Sequence, residues 1–525
     1  MVKIPKLPVI EEYERTEVVV KLTEVIHYQA EVIQSLKDEI AVLKGNKPKP
    51  DIKPGKMEKG TTDKKSSSVD SAGSEKKSKP VQCKIDETIR IPAKNVPEGS
   101  KFKGYKEFIV GGIIIESHNI CYQMERWETP DGSYVEGELP PTVCGHFSSS
   151  LLSYILYQYY QCHVTQPLLL EQLHEFGVDI SSGQLSRILV EGHDNFHKEK
   201  EDILTTGLEI SYYINVDDTG ARHDGQNGVC THVGNELFAW FKSTESKSRI
   251  NFLELLRGSQ NDYHINEDAL AYMEAQKLPK AKLQILKEDS LKIFIAKEQW
   301  EKHLQKVGIT QQHHIRIATE GALVGSVLEN GFNPDMAIVS DDAGQFNVFL
   351  HALCWVHAER TINKIVPFAN NQRLALDESR KKIWDLYADL KEYKNHPVHE
   401  KKVEIESRFE RIFQDKTCFM TLNLALKRLY KNKAELLLVL DRPDIPLYNN
   451  TSERDIREYV KRRKISGGTR SDLGRKCRDT FISLKKTCRN LAVSSWHYIN
   501  DRVSKNNTIT QLDAIMRQKA VTSTF

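Results

Sequence analysis

Residues 214–223 read INVDDTGARH, and the fold class rests on how this stretch is interpreted. Tyr213, Ile214 and Val216 are apolar or β-favouring, and they run into two adjacent carboxylates, Asp217 and Asp218, followed by Thr219 and Gly220. An apolar strand ending in aspartate is a rigid platform for holding a cation or activating water. A similar run, AIVSDDAGQF, occupies residues 337–346, and NNTSERDIR at residues 449–457 supplies a glutamate. The segment after the first run, with FAWF as a second strand and STESKSRINFLELLRG leading into a helix, gives adjacent antiparallel strands followed by a helix. That order suits an α/β core.

Working outward, residues 1–44 carry Val18, Leu22, Val25, Val32, Leu36, Ile40 and Leu43 at alternating four- and three-residue spacing, with Gln29 in one seam position. This is the pattern of a short coiled coil and implies a homodimer or higher oligomer; a single amphipathic helix is the alternative. Residues 45–85 are rich in Lys, Ser, Gly, Pro and Asp and read as a disordered linker. Residues 86–145 read as a small β-rich module, with Pro130-Asp131-Gly132 as a turn. Residues 146–205 turn helical and contain the outline of a helix-turn-helix. Thr165 and Pro167 start one helix, Gly177 ends it, and Ser181 or Ser182 caps a second, which carries Gln184, Ser186 and Arg187. Arg187 is a candidate DNA contact there, although ordinary helical hairpins look the same. The core is expected over residues 206–505, with helical insertions at about 259–334 and 367–445, and a tail over 506–525. Residues 349–366, FLHALCWVHAERTINKIV, read as a helix.

Composition narrows the function. No run of ~18 apolar residues exists, and the charged N-terminus lacks a signal-peptide pattern, so the expectation is a cytoplasmic protein with no membrane partner. Nine cysteines are scattered with no CxxC pair, which supports neither a disulfide framework nor a zinc ribbon. The overall charge of +3 hides a local imbalance: residues 453–505 hold 15 Lys or Arg against 6 Asp or Glu, a net of +9. Such density points to a polyanion, with a solvated helix surface as the alternative.

Phosphodiester chemistry needs a nucleophilic oxygen made reactive and a leaving oxygen stabilised. Two Mg²⁺ ions about 3.5–4 Å apart, held by carboxylate oxygens, do both. Asp217, Asp341 and Glu453 are the expected ligands of such a pair, with Mn²⁺ as a substitute. They lie 124 (341 − 217) and 112 (453 − 341) residues apart, so only tertiary folding can join them. On composition alone, aspartates in exposed turns stay an open alternative.

Across roughly residues 100–505 the chain resembles the transposases of insertion sequence 66 and relatives (TnpC-type). The resemblance is carried by Asp217-Asp218-Thr219 at a D-E-T motif, by SDDAGQF ahead of Cys354-Trp355-Val356-His357-Ala358-Glu359-Arg360, and by Asn449, Asn450, Glu453, Arg454 and Arg457 at N-N-x-x-E-R-x-x-R. It implies a ribonuclease H-like catalytic core bearing an acidic triad, and a DNA transposase that cleaves element ends and transfers strands. It selects Asp217 over Asp218. The second acid is Asp341 or Asp342, with Asp341 preferred as the first carboxylate after the apolar run. Asp218, Asp342, Cys354 and His357 are expected to support the site from behind, plain core packing being the alternative for the last two. Arg454, Arg457, Lys461, Arg462, Arg463 and Lys464 are expected along DNA, with transposon ends and target as partners and accessory proteins of the same element as further ones. Relatives often pair cysteines before the β module, whereas Cys83 and Cys121 stand alone, so no zinc is expected there. The alternatives are a structure-specific nuclease on the same core, or a non-catalytic DNA-binding protein derived from a transposase.

Overall fold

The computed structural model of the chain describes residues 85–95, 97–140 and 145–522, together with Ile26 and Gln29. Nearly all of the heptad segment and of the expected linker therefore lies outside the described residues, as does Cys83. The chain divides into two units, residues 47–116 and the remainder. The described part of the first, from residue 85, is exposed and has no regular element. Within the second unit, Arg126–Glu128 pairs antiparallel with Tyr134–Glu136 around the Pro130-Asp131-Gly132 turn.

Five strands form the central sheet: β1 (Tyr213–His223), β2 (Gln226–Gly234), β3 (Ala239–Thr244), β4 (Ala337–Ser340) and β5 (Leu350–Leu353). Their order is 3-2-1-4-5, and β2 alone runs against the others. The helices that matter for the site are α1 (Gln166–Glu175), α2 (Ser182–Val190), α3 (Asp194–Ile210), α4 (Trp355–Asn363), α5 (Asn450–Ser466) and α6 (Asp472–Asn490).

Alternation along the strands assigns the two faces. Ile214, Val216 and Ile338 join one buried cluster with residues of α3 and of the helix Gln312–Glu329. Ala337 and Val339 point the other way, into a separate cluster with Trp355 of α4 and with Leu386, Phe409 and Leu426 of the second helical insertion. Ala221 packs against Ile456 and Tyr459 of α5. Burial on both faces explains why β4 reads as a continuous apolar run.

The free edge of the sheet is covered by a helix. Alternate N–H groups of β3 donate to α6 side chains: Ala239 to Thr487 Oγ1 at 3.2 Å, Phe241 to Ser483 Oγ at 2.9 Å and Ser243 to Asp479 Oδ2 at 2.7 Å. Four helical residues rise ~6 Å and two strand residues ~6.7 Å, so acceptors at i, i+4 and i+8 match every second strand N–H. This blunts an edge that would otherwise pair with another chain.

Three elements differ from the sequence reading. The stretch read as one helix over residues 349–366 begins with β5, and α4 starts only at Trp355. A four-residue apolar run carries no usable period, and parallel pairing with β4 decides it. The acids at residues 217–218 do not end their strand, because β1 continues to His223 in a hairpin with β2. Residues 506–525, read as a tail, contain the helix Leu512–Thr522 with Leu512 and Met516 fully buried. The two helices of the helix-turn-helix outline are α1 and α2. Ser181 caps α2 reciprocally with Gln184, which occupies a residue otherwise free for base contacts.

Candidate active site

The site forms where the parallel half of the sheet ends. β1 pairs with β4 only from Tyr213↔Ala337 to Asn215↔Val339, so both chains leave that ladder just before their aspartates. Asp217 thus comes out beside Asp341. On the antiparallel side Asp217 stands directly opposite His232 and Asp218 opposite Thr231, which puts the two vicinal acids on opposite faces.

Asp217 lies on the face covered by α5. Its Oδ1 accepts the Asp218 N–H at 2.7 Å. Burial first, and then the neighbouring Asp341, push its carboxyl up to about 7. Asp341 Oδ1 accepts from the Ala343 N–H at 3.1 Å. Behind it, Ser340 Oγ reaches the buried His351 Nε2 at 2.8 Å. Asp218 accepts from Thr231 Oγ1 at 2.6 Å and from Gln345 Nε2 at 2.9 Å. Asp342 turns outward to Arg428, 2.6 Å away, and to Asn432 on the second insertion. The backbone therefore brings Asp341, and not Asp342, next to Asp217.

Glu453 stands in the first turn of α5, and that turn is tied to the sheet. Asn449, fully buried, donates its Nδ2 to the Val216 carbonyl at 2.7 Å, and its N–H lies 3.2 Å from Cys354 Sγ. One asparagine thereby links α5 to β1 beside Asp217 and to the start of α4. Glu453 faces three cations: Arg360 Nη1 at 3.3 Å, His357 Nε2 at 3.3 Å and Arg457 Nη2 at 3.8 Å. Burial works against the His357 proton, but the bond to Cys354 and the charges of Glu453 and Asp341 outweigh it and raise His357 to about 9. With His357 protonated, its 3.1 Å approach to Arg360 Nη1 is not a hydrogen bond: the two cations share one carboxylate.

The donor set suits a divalent cation at Asp217 and Asp341, whose hard oxygens repel each other and feel only the more distant charge of His357. Glu453 is engaged by its cations. Among the described residues, no three His, Cys, Asp or Glu side chains converge at metal-holding distance.

The expected DNA contacts separate by exposure. Arg454, Arg457, Lys461 and Lys464 are exposed, and their 3-4-3 spacing places them along one face of α5. Arg187 is exposed on α2. Arg463 donates to the Gly220 carbonyl. Arg462 departs from the expected phosphate contact: it is buried, with its guanidinium 3.9 Å from the Tyr159 ring centre, because its position on α5 faces inward. Two contributors escaped the sequence reading. Arg360 appeared there only as a motif letter. His232, in GVCTHVG, carried no signal at all.

Comparison with known proteins places this geometry in context. A family model described as Transposase IS66 family matches residues 337–476, which span β4, the second acid, the insertion and Glu453. The chain is also 41% identical over 321 residues to the uncharacterized protein y4jO of Sinorhizobium fredii (strain NBRC 101917 / NGR234), covering 61% of this chain and 100% of that one. With the family model running through the helix that carries Glu453, and a relative matched over its whole length, the chain belongs to the IS66 family of transposases.

Proposed function

We propose that this transposase cleaves the ends of its mobile element to free a 3′-hydroxyl and directs that hydroxyl at a target phosphodiester, using Asp217, Asp341 and Glu453 on a ribonuclease H-like core. The observation that carries the reading is the placement of Asp217 and Asp341 just past the end of the β1–β4 ladder, close enough for Asp341 to raise the Asp217 carboxyl, with Glu453 on the helix whose first turn is bonded to β1. The 3-2-1-4-5 order with one reversed strand supports the core assignment. Asp217 and Asp341 would hold Mg²⁺ or Mn²⁺, with Glu453 joining as a third ligand. Bound there, a pair of such ions supplies Lewis-acid stabilisation of both the attacking and the leaving oxygen.

The chain's own residues do the rest. Asn449 sets the depth of α5 against β1, and Thr231 and Gln345 hold Asp218 away from the Asp217 face. His357 and Arg360 keep Glu453 at the mouth of the site. The exposed face of α5 and the start of α2 offer cations to the phosphate backbone, which supports DNA binding with a salt-dependent affinity. A coiled coil over residues 1–44 would join protomers so that two element ends are handled together.

The test uses the full chain, Mg²⁺ or Mn²⁺, and labelled DNA from the regions flanking its gene, searched first for terminal inverted repeats. Asp217→Asn, Asp341→Asn and Glu453→Gln should each lose cleavage and joining by ~10³-fold, about 4 kcal/mol of transition-state stabilisation, while still retarding DNA. Full cleavage by any of the three removes that residue from the triad. Cleavage without joining in the unaltered protein would make it a nuclease instead.

A further inference from the structure

Outside the three acids, a fully buried polar chain crosses from the sheet to α5. His232 lies on β2 directly opposite Asp217, so the two side chains share a face. Its Nδ1 is 2.8 Å from Ser452 Oγ, the residue immediately before Glu453. Its Nε2 faces Asp455 Oδ2 at 3.4 Å, and Asp455 Oδ1 is held 2.8 Å from Lys486 Nζ on α6. His232, Ser452 and Asp455 are all essentially inaccessible to solvent, and Phe241 packs edge-on against the imidazole with ring centres 4.8 Å apart. A polar group placed this deeply costs stability unless its partners are arranged for it. A plain apolar residue at position 232 would fill the space more cheaply.

We infer that His232 is a positioning residue of the active site: through Ser452 and Asp455 it sets the distance between Asp217 on the sheet and Glu453 on α5. The inference rests on the triad reading above. Three observations converge on it. The β1–β2 register ties His232 to the height of Asp217. The bond to Ser452 and the 3.4 Å approach to Asp455 straddle Glu453, one residue before it and two after. Lys486 anchors the far side to α6, which is itself bonded along the edge of the sheet. The cations around Glu453 act on its side chain, whereas the buried bridge, together with the Asn449 tie to Val216, acts on the backbone that carries it. Partners of metal ligands behave this way elsewhere, and their loss typically lowers metal affinity or activity about 10–100-fold.

The experiment measures Mn²⁺ binding to the full chain by electron paramagnetic resonance and calorimetry, without DNA, alongside thermal unfolding. Ser452→Ala removes the Nδ1 arm of the bridge, its one hydrogen bond to α5, without altering the sheet. It should weaken the Mn²⁺ step that Glu453→Gln also weakens, by ~10–100-fold, at temperatures where the protein is fully folded. His232→Phe should do the same, and His232→Asn, which keeps a polar group near the Nδ1 position, should restore most of the affinity. A purely structural role would lower the melting temperature of Ser452→Ala and leave its Mn²⁺ affinity untouched; that result overturns the inference. If His232→Phe does not fold, Ser452→Ala and His232→Asn decide the matter. If the unaltered protein shows no Mn²⁺ binding that Asp217→Asn abolishes, the triad reading itself fails and takes the inference with it.

Discussion

Asp217 and Asp341 stand just past the end of the β1–β4 ladder with no ion pair within 4 Å among the described residues, whereas Glu453, on α5, sits among His357, Arg360 and Arg457. The strand acids repel each other, and burial makes that repulsion costly. The helix acid is stabilised by its surroundings and in turn raises the affinity of His357 for a proton. One half of the site is thus primed to take up positive charge, and the other already has it. Neutralising an acid should therefore have opposite consequences for the metal-free fold in the two halves, although either change should stop the chemistry.

The sharpest way to break this comparison is Glu453→Gln. Removing that charge leaves His357 and Arg360 half-buried without their carboxylate, and the metal-free protein should lose ~2 kcal/mol in denaturant unfolding, the lower end for a broken pair that is not fully buried. Unchanged or increased stability would mean that the cations do not hold Glu453 in solution.

Asp217→Asn should act with the opposite sign. A carboxyl raised from 3.8 to about 7 binds its proton more tightly when folded, so its contribution is complete below the unfolded value and fades as pH rises to about 7. His357, raised from 6.5 to about 9, behaves alike in a higher window: its contribution is complete below pH ~6.5 and is lost through about pH 9. Metal-free wild-type protein should therefore lose stability in two steps as pH is raised. Asp217→Asn should erase the lower step, leaving the variant ~1–2 kcal/mol more stable than wild type at pH ~7.5, after discounting the full shift for solvent screening. Glu453→Gln should shrink only the upper step. A single unresolved slope in both variants would show that the two halves titrate as one unit.

The smallest expected effect belongs to Asp342→Asn. Its pair with Arg428 is exposed, so the loss should be under ~1 kcal/mol and DNA cleavage should stay within ~2-fold of wild type. Abolished cleavage in this variant would move the second ligand by one residue.

Much of the framework that carries the candidate site was legible before any folding. Apolar runs ending in vicinal acids marked two strands, and the asparagine-rich motif marked the helix that completes the set. The family resemblance favours Asp217, and Asp341 is preferred only as the first carboxylate after its apolar run; which face each carboxylate presents depends on strand register. The short strand β5 was not legible: four apolar residues lack a period, and the hydrogen bonds that make them a strand come from residues 337–340. The burial of Arg462 was hidden for a related reason. A basic run on a helix looks uniformly solvated until a neighbouring ring, here Tyr159, is brought against one side of it.

By itself, then, the sequence determined which residue types could do the chemistry, since that depends on side-chain identity and on local periodicity. The tertiary structure alone decided which carboxylate of each pair faces its counterpart, that Glu453 is held by Arg360 and His357, and that His232 bridges sheet and helix. Those facts depend on strand register and on contacts between residues more than 90 positions apart, such as Arg360 with Glu453 and His232 with Ser452. No local pattern encodes such pairings, because the burial and charge that make them matter exist only once the chain has closed on itself.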